Sequence, residues 1–470
     1  MYMKEIFINR SKELEKLYKC YDSNNFEFAV IWGRRRIGKT LLINKSIEGR
    51  RCITCTGLKT SLENNIANMT ESFLSELIPG ISHPKFNSYQ ELFDFLNHNE
   101  KFLSSDYIIV LDEYPLLAGN KDDLSSILQY SIDKYWKNTK LKLVLCGSSI
   151  SFMKEQVLSG DSPLYGRTTL IMEVKKFMLW EMKAYKWNFT NEEITILYSA
   201  LGGIPRYLNM VDDSFSFKEN LFNLFFNTGS ILAGETDTLL NEEFKETARY
   251  SDVLSAIASG KSSLNDIAEK VRMQTGTVSF YLTNMIRIGL IKKESPYGSL
   301  NNKKSIYTIT DGLFRFHYQF ILPNINMINF GKGESVLNMM VLPSLSRYMG
   351  LEWEQICISY MFASFNTTRD PFLYNDLQRW WGGSTKDKKQ IEIDMMSTQN
   401  NKALFGECKW TNDKVNIDIL DNLIDKCSQF DYKSKTWYLF SKSGFEESLI
   451  EKTNKESDIH LITLNDVYSL

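Results

Sequence analysis

The stretch Gly33-Arg34-Arg35-Arg36-Ile37-Gly38-Lys39-Thr40 constrains this chain more than any other. It fits GxxxxGK[ST], follows an apolar run at 26–32 and opens a helical pattern, LLINKSIEG. A strand, a glycine-bounded turn and a helix, in that order, let backbone N–H groups curl around phosphates while the helix N-terminus favours their charge. At this spacing Lys39 reaches β/γ oxygens and Thr40 ligates Mg²⁺. Arg36, Ile37 and Leu41 sit in the same turn and helix start, so they join Gly33, Gly38, Lys39 and Thr40 as nucleotide contacts. The competing reading is a chance glycine-rich turn before a helix.

A second element argues against chance. Ile108-Ile109-Val110-Leu111-Asp112-Glu113 is an apolar strand ending in two acids, with Asp112 lying 72 residues after Thr40. The C-terminal tip of a buried parallel strand is where such sheets bind ligands. There Asp112 can hold the water shell of Mg²⁺ and Glu113 can polarise an attacking water. A third strand, 143–146, runs into Gly147-Ser148-Ser149. Either serine is a candidate sensor of a γ-phosphate, or both are plain loop serines. A weaker strand spans 53–57, and helical patterns cover 62–77 and 123–135. Strands separated by helices predict a parallel sheet with helices on both faces.

From 175 to 227 the pattern is helical, interrupted at Gly202-Gly203-Ile204-Pro205. Residues 250–320 read as three short helices and a hairpin whose turn contains Pro296, Gly298 and Asn301-Asn302. That is the winged-helix order. Its third helix is expected to expose Thr275, Thr277, Ser279 and Tyr281, ringed by Lys261, Arg272, Arg287, Lys292, Lys293, Lys303 and Lys304. Such a surface suits duplex DNA, with phosphates anchored by the flanking cations. The alternative is a protein spacer with solvated lysines. A polar stretch at 324–335 reads as a linker. Beyond it come a helix at 339–365, strands near 372–377, 390–396 and 403–410, a helix at 417–430, a strand at 436–440, a further helix and a last strand at 460–464.

Gln390–Met396 alternates with period two, so Glu392 and Asp394 are expected on one face and Ile391, Ile393 and Met395 on the other. Thirteen residues after Asp394 comes Glu407, which shares a face with Lys409. Glu354 lies upstream in a helix, LEWEQICISYMF. Two carboxylates from adjacent strands can hold Mg²⁺, which keeps several waters, and a lysine can help orient one of them against a phosphodiester. Asp394 and Glu407 are the expected metal ligands; Glu354, Asp394, Glu407 and Lys409 form the expected catalytic set. The alternative is a salt-bridge cluster on an inactive fold.

Composition excludes several classes. The 470 residues suggest two to four domains at ~100–200 residues each. Lys+Arg is 55 against Asp+Glu 57, so there is no general basic coat and any DNA-binding patch is local. Hydrophobic residues at 43% and charged residues at 24% fit packed domains rather than a disordered chain. The first residues lack a signal-peptide pattern, and no run reaches the ~20 apolar residues of a membrane span. Seven scattered cysteines read as free thiols in a reducing cytoplasm. Cys52 and Cys55 lack the second pair that a zinc site needs. The four histidines are dispersed without ligand spacing.

The set Phe7-Ile8-Asn9-Arg10…Glu13-Leu14, GRRRIGKT, LDEYPLL, LCGSS, Ser162-Pro163-Leu164-Tyr165-Gly166-Arg167 and Gly202-Gly203-Ile204-Pro205-Arg206-Tyr207 resembles the archaeal-type ATPases of the AAA+/STAND group. The resemblance spans roughly residues 1–240. It implies that Arg10 and the Pro205 region lie near the nucleotide base. It also makes Arg167 a candidate arginine finger or sensor, and as a finger acting on a neighbouring copy it would tie hydrolysis to homo-oligomer assembly; taken alone, Arg167 reads equally as a surface ion-pair residue. Trp380-Trp381-Gly382, EID and GECKW resemble the DUF234-type domain attached to such ATPases, and D-x12-E-x-K resembles the PD-(D/E)xK nuclease fold. Ile393 stands where that pattern has a proline.

The expected fold is α/β: a P-loop parallel-sheet ATPase core (1–174), a helical lid (175–244), a winged helix (245–322) and a restriction-endonuclease-like α/β domain (335–470). The expected cofactors are ATP and Mg²⁺ and the expected partner is DNA, with no membrane. Two functions remain open. One is an ATPase coupled to a metal-dependent nuclease-like domain. The other is a nucleotide-state switch that regulates partner or DNA binding, with a catalytically silent C-terminal domain.

Overall fold

Burial selects the first sheet. Every residue of Ile108–Asp112 and Lys142–Gly147 is buried, as is all of Glu27–Trp32 after Glu27. Strands this apolar on both faces belong at the centre of a parallel sheet between helix layers. In the computed structural model, which describes residues 7–80, 83–119, 123–299, 304–384 and 388–470, that is where they lie. With β1 Glu27–Trp32, β2 Cys52–Thr56, β3 Ile108–Asp112, β4 Lys142–Gly147 and β5 Leu170–Glu173, the sheet order is β2-β3-β4-β1-β5, and every pairing is parallel. Phe28, Val30 and Trp32 enter one core with Ile66, Phe73 and Leu92 from the helices Leu62–Leu77 and Tyr89–Asn97. This is the P-loop ATPase sheet expected from the sequence. β5 was not: its LIME has one buried residue, Met172, and so gives no apolar run.

The chain divides into two compact units, Met1–Lys176 with Ile204–Arg206, and Phe177–Gly203 with Tyr207–Leu470. In the second, Asn191–Leu201 is an α-helix that starts at a capping box, with Thr190 accepting from the Glu193 N–H and Glu193 accepting from the Thr190 N–H. Helices Thr247–Ala258, Leu264–Val271 and Thr275–Arg287 precede an antiparallel hairpin, β6 Ile291–Glu294 and β7 Ile306–Ile309. Asn301, Asn302 and Lys303 lie outside the described residues.

One expectation for this module needs correction. Tyr281 is buried, and its hydroxyl donates to Glu246 at 2.7 Å. Residues spaced by two cannot share a helical face, whereas residues three or four apart can. Tyr281 therefore packs inward with Val278, Leu282 and Met285, while Thr275, Thr277 and Phe280 are exposed. The hairpin is also fastened. Lys292 donates to Gln355 at 2.9 Å, the Tyr297 N–H donates to the Arg379 carbonyl at 2.9 Å, and the Tyr297 hydroxyl accepts from the Thr398 N–H at 2.9 Å.

Two further readings fail on the packing. The expected linker at 324–335 is helical on both sides of a break at Gly331, because Ile328 and Gly333, and Val336 and Leu337 just beyond, are buried. Tertiary burial outweighs two glycines here. Residues 372–377 form no strand; the strand lies just after them. With β8 Gln378–Gly383, β9 Gln390–Gln399, β10 Lys402–Lys409, β11 Ser434–Ser441 and β12 Ile459–Thr463, the second sheet has the order β12-β11-β10-β9-β8. β9 pairs antiparallel with both β8 and β10, and β11 pairs parallel with both β10 and β12.

β9 does not alternate throughout as the sequence suggests. Trp380 pairs with Ile393, but Gln378 pairs with Met396, so β9 carries one residue more than β8 across this step. Ile393 and Met396 consequently enter the same core, and Met395 leaves the face of Ile391 and Ile393. Asp394 lies inside this bulge.

No helix among the described residues is long and apolar enough to cross a membrane. A buried ion pair links two helices of the second unit: Arg315 meets Glu352 at 3.2 Å and donates to the Tyr348 carbonyl at 2.7 Å. Removing one partner of such a pair leaves a buried charge uncompensated. Arg315→Ala is expected to lower the unfolding free energy by about 3–5 kcal/mol in urea titration. A loss below about 1 kcal/mol would show that Glu352 re-solvates freely.

Candidate functional site

The phosphate turn is shaped by its backbone. Gly33, at φ 151°, ends β1; a Cβ there would stand 2.5 Å from the Val174 carbonyl oxygen. Arg36 and Gly38 are left-handed, at φ 67° and 88°, and Lys39 begins the helix Lys39–Ile47. Successive N–H groups in such a turn form an anion-binding concavity. Lys39 is buried, and its ammonium donates to the carbonyls of Gly33 at 2.8 Å and Arg34 at 3.0 Å. Burial pulls its pKa down, opposed in part by the carboxylates of Glu113 and Asp112.

Two strand ends converge on the turn. The Thr40 hydroxyl donates to Asp112 Oδ2 at 2.8 Å, and Asp112 Oδ1 accepts from the Glu113 N–H at 2.9 Å. A hydroxyl and a carboxylate in contact are the hard-oxygen donor set that Mg²⁺ takes, so these residues fit the ion. Glu113 is itself left-handed, at φ 47°, a rare conformation for a residue with a side chain. The Ser148 hydroxyl from the end of β4 contacts both Glu113 carboxylate oxygens at 2.7 Å. The structure thus brings together Gly33, Gly38, Lys39, Thr40, Asp112, Glu113 and Ser148.

The other expected residues fall differently. Arg10 lies behind the turn, donating to the carbonyls of Ile37 at 3.5 Å and Lys175 at 2.7 Å and pairing with Glu13 at 3.0 Å. The Arg206 N–H, next to Pro205, donates to the Arg36 carbonyl at 3.4 Å. Arg167 forms a two-pronged pair with Asp133 at 2.9 and 2.7 Å and donates to the carbonyls of Pro163 and Tyr165, each at 3.0 Å. None of these bonds runs to Lys39, Thr40, Asp112 or Glu113.

The second cluster lies on the C-terminal sheet. The β9–β10 ladder ends at Gly406 with Met395, and Glu407 and Asp394 are the next residues of the two strands. Asp394 Oδ2 accepts from the Cys408 N–H at 2.8 Å. Burial first, then the charges of Glu407 and Glu354, push the Asp394 carboxyl well above its usual range. Glu407 is buried and takes the ammonium groups of Lys409 at 2.5 Å and Lys426 at 3.2 Å. Burial opposes the Lys409 charge, and Glu407 more than offsets it, so its pKa rises. Glu354 pairs with Arg379 at 3.3 Å, and Arg379 also holds Glu392. Burial lifts Glu354 to about 7; Arg379 pulls it down, and Glu392 and Glu294 push it up.

Sequence reasoning missed Arg379 and Lys426. Each lies beyond the D-x12-E-x-K spacing, Lys426 on the helix Ile417–Cys427, and no local pattern points to either. Among the described residues, no group of three or more His, Cys, Asp or Glu side chains is arranged to hold a metal.

Glu354 gives a pH prediction. Its folded value of about 7 stands above the ordinary 4.5, so folding favours the protonated form. That contribution is fully present below about pH 4 and is lost as pH rises through about 7. The difference in Tm between Glu354→Gln and the parent should shift in favour of the variant from about pH 5 to about pH 8. Parallel Tm curves would refute it.

The comparisons with known proteins follow the same division. Residues 7–211 match the ATPase domain predominantly from Archaea, and residues 317–420 match DUF234, a family of archaeal and bacterial proteins of unknown function. The uncharacterized protein MJECL04 of Methanocaldococcus jannaschii is 33% identical over 409 residues, covering 86% of this chain and 88% of its own. The uncharacterized ATP-binding protein MJ0423 of the same organism is 41% identical over 51 residues, 11% of this chain and 86% of its own. Among solved structures, the Walker-type ATPase PABY2304 of Pyrococcus abyssi matches with a TM-score of 0.50 and 21% identity, over 67% of this chain and 96% of its own. A phosphate turn backed by an acid-tipped strand, an ATPase match over that part and a DUF234 match beyond it place this chain in the family of archaeal-type P-loop ATPases that carry a C-terminal DUF234 domain.

Proposed function

We propose that the chain binds Mg-ATP at the Gly33–Thr40 turn and hydrolyses it, and that its C-terminal centre is a metal-dependent site acting on DNA. The observation that carries the first half is the Thr40–Asp112 contact beside a Glu113 carboxylate held by Ser148. Phosphoryl transfer asks little covalent chemistry of the protein, so positioning and charge dominate. Lys39 would give up the carbonyls of its own turn for phosphate oxygens. Thr40 and Asp112 would hold Mg²⁺, whose charge neutralises the phosphates. Glu113 would orient the attacking water, with Ser148 fixing its carboxylate. Arg167 has no part in a single chain; to act on a neighbouring copy it would first have to leave Asp133.

The second half rests on two carboxylates and a lysine meeting on adjacent strands. Asp394 and Glu407 would share Mg²⁺, and Lys409 would orient a water against the phosphodiester. The exposed Thr275, Thr277 and Phe280 of the third helix suit base edges and the thymine methyl. One observation favours the other reading, a nucleotide-state switch with a silent C-terminal domain: Glu407 is already paired to two lysines.

Lys39→Ala is expected to abolish ATP turnover in a phosphate-release assay; unchanged turnover would remove the ATPase assignment. Glu113→Gln should keep ATP binding and slow hydrolysis by about 10²–10⁴-fold, the usual worth of a general base. For the C-terminal centre, supercoiled and linear DNA are incubated with Mg²⁺ or Mn²⁺, with and without ATP. Cutting that disappears in Lys409→Ala is the expected outcome. No cutting with either metal would favour the switch.

A further inference from the structure

Glu407 holds more positive charge than it needs. Its side chain is 7% exposed, and two ammonium groups reach it from different elements. Lys409 Nζ lies 2.5 Å from Oε1. Lys426 Nζ lies 3.2 Å from Oε2 and 3.4 Å from Oε1. Lys409 is two residues along the same strand, whereas Lys426 comes from the last turn of Ile417–Cys427, 19 residues away. The C-terminal end of a helix favours a cation there.

Burial separates the three groups. The carboxylate is enclosed, yet the side chains of Lys409 and Lys426 are each 30% exposed. Each ammonium has three donors, and Glu407 is the one protein group among the described residues to which either side chain donates. One lysine is enough to pair one carboxylate. The second adds a cation at the mouth of the site, with donors left for an oxygen anion.

We propose that Lys426 and Lys409 together bind one backbone phosphate of a nucleic acid, with Glu407 as the buried anchor that sets their spacing. This rests on the nucleic-acid reading of the C-terminal centre given above. It adds a phosphate-binding residue from a helix outside the strand motif. A lysine that served only to hold Glu407 would act through position and would release no counterion when DNA binds. A lysine that meets phosphate does release one, and the salt dependence of binding records it.

The test is binding of the full chain to a fluorescently labelled linear DNA duplex across a KCl series, with Ca²⁺ in place of Mg²⁺. Parent, Lys409→Ala, Lys426→Ala, Lys426→Arg and the exposed-lysine control Lys433→Ala are compared, with Tm checked for each. Losing one phosphate contact should lower the slope of log Kobs against log[salt] by about 0.9, which is roughly eightfold in affinity at 0.1 M salt. Lys426→Ala should show that loss, Lys426→Arg should restore it, and Lys433→Ala should match the parent. Weaker binding at an unchanged slope would overturn the proposal, since Lys426 would then act only through Glu407. A slope that falls for Lys409→Ala and not for Lys426→Ala would overturn it while leaving the parent reading standing. A slope that neither variant alters would sink both.

Discussion

The Thr40 hydroxyl reaches the Asp112 carboxylate across an intervening strand, and the nucleotide site depends on that reach. The two residues stand 72 positions apart, and β4 lies between their strands. Parallel pairing puts the C-terminal tips of β1, β3 and β4 at one edge, and the order β2-β3-β4-β1-β5 makes them neighbours there. Once there, the tips support each other: Asp112 accepts from Thr40 and from the Glu113 N–H, and Ser148 from β4 holds the Glu113 carboxylate. A hydrogen bond to a charged group contributes about 1.5–3 kcal/mol. The larger consequence is geometric, because three strand ends are locked to one another at the edge where a phosphate would lie.

The C-terminal centre uses different physics. Burial makes Asp394 and Glu354 costly to ionise, and the charges of Glu407 and Glu354 add to that cost at Asp394. Cations then settle the balance pairwise, with Arg379 on Glu354 and Glu392 and two lysines on Glu407. The bulge in β9 is part of the arrangement. One extra residue between Ile393 and Met396 lets both enter the core, and Asp394 sits at the step where its carboxylate accepts a backbone N–H from β10.

Much of this was legible in the chain because the signals are local. The phosphate turn, the acid-tipped strand and the Asp394, Glu407 and Lys409 triplet are short spacings whose chemistry follows from residue type. The central strands were equally legible, since burial on both faces demands continuous apolar runs. The misses share a cause. β5 is an edge strand with one buried residue, so its four residues give no run. The stretch 324–335 contains glycines and polar residues, yet helical packing buries Ile328 and Gly333. Tyr281 was placed on the surface by a spacing of two that a helix does not share. Arg167 pairs with Asp133, 34 residues earlier, a partner that no local spacing announces.

By itself, then, the sequence determined the family, the parallel sheet and the residues proposed to hold a nucleotide and Mg²⁺, because each follows from a pattern within a few residues. Tertiary structure alone decided which cation each acid meets. Lys426 joins Glu407, and Arg379 joins Glu354 and Glu392, through the packing of a helix and an edge strand on β9 and β10. Charge attraction acts through space at a few ångströms and ignores chain separation, so no local spacing could announce these pairs.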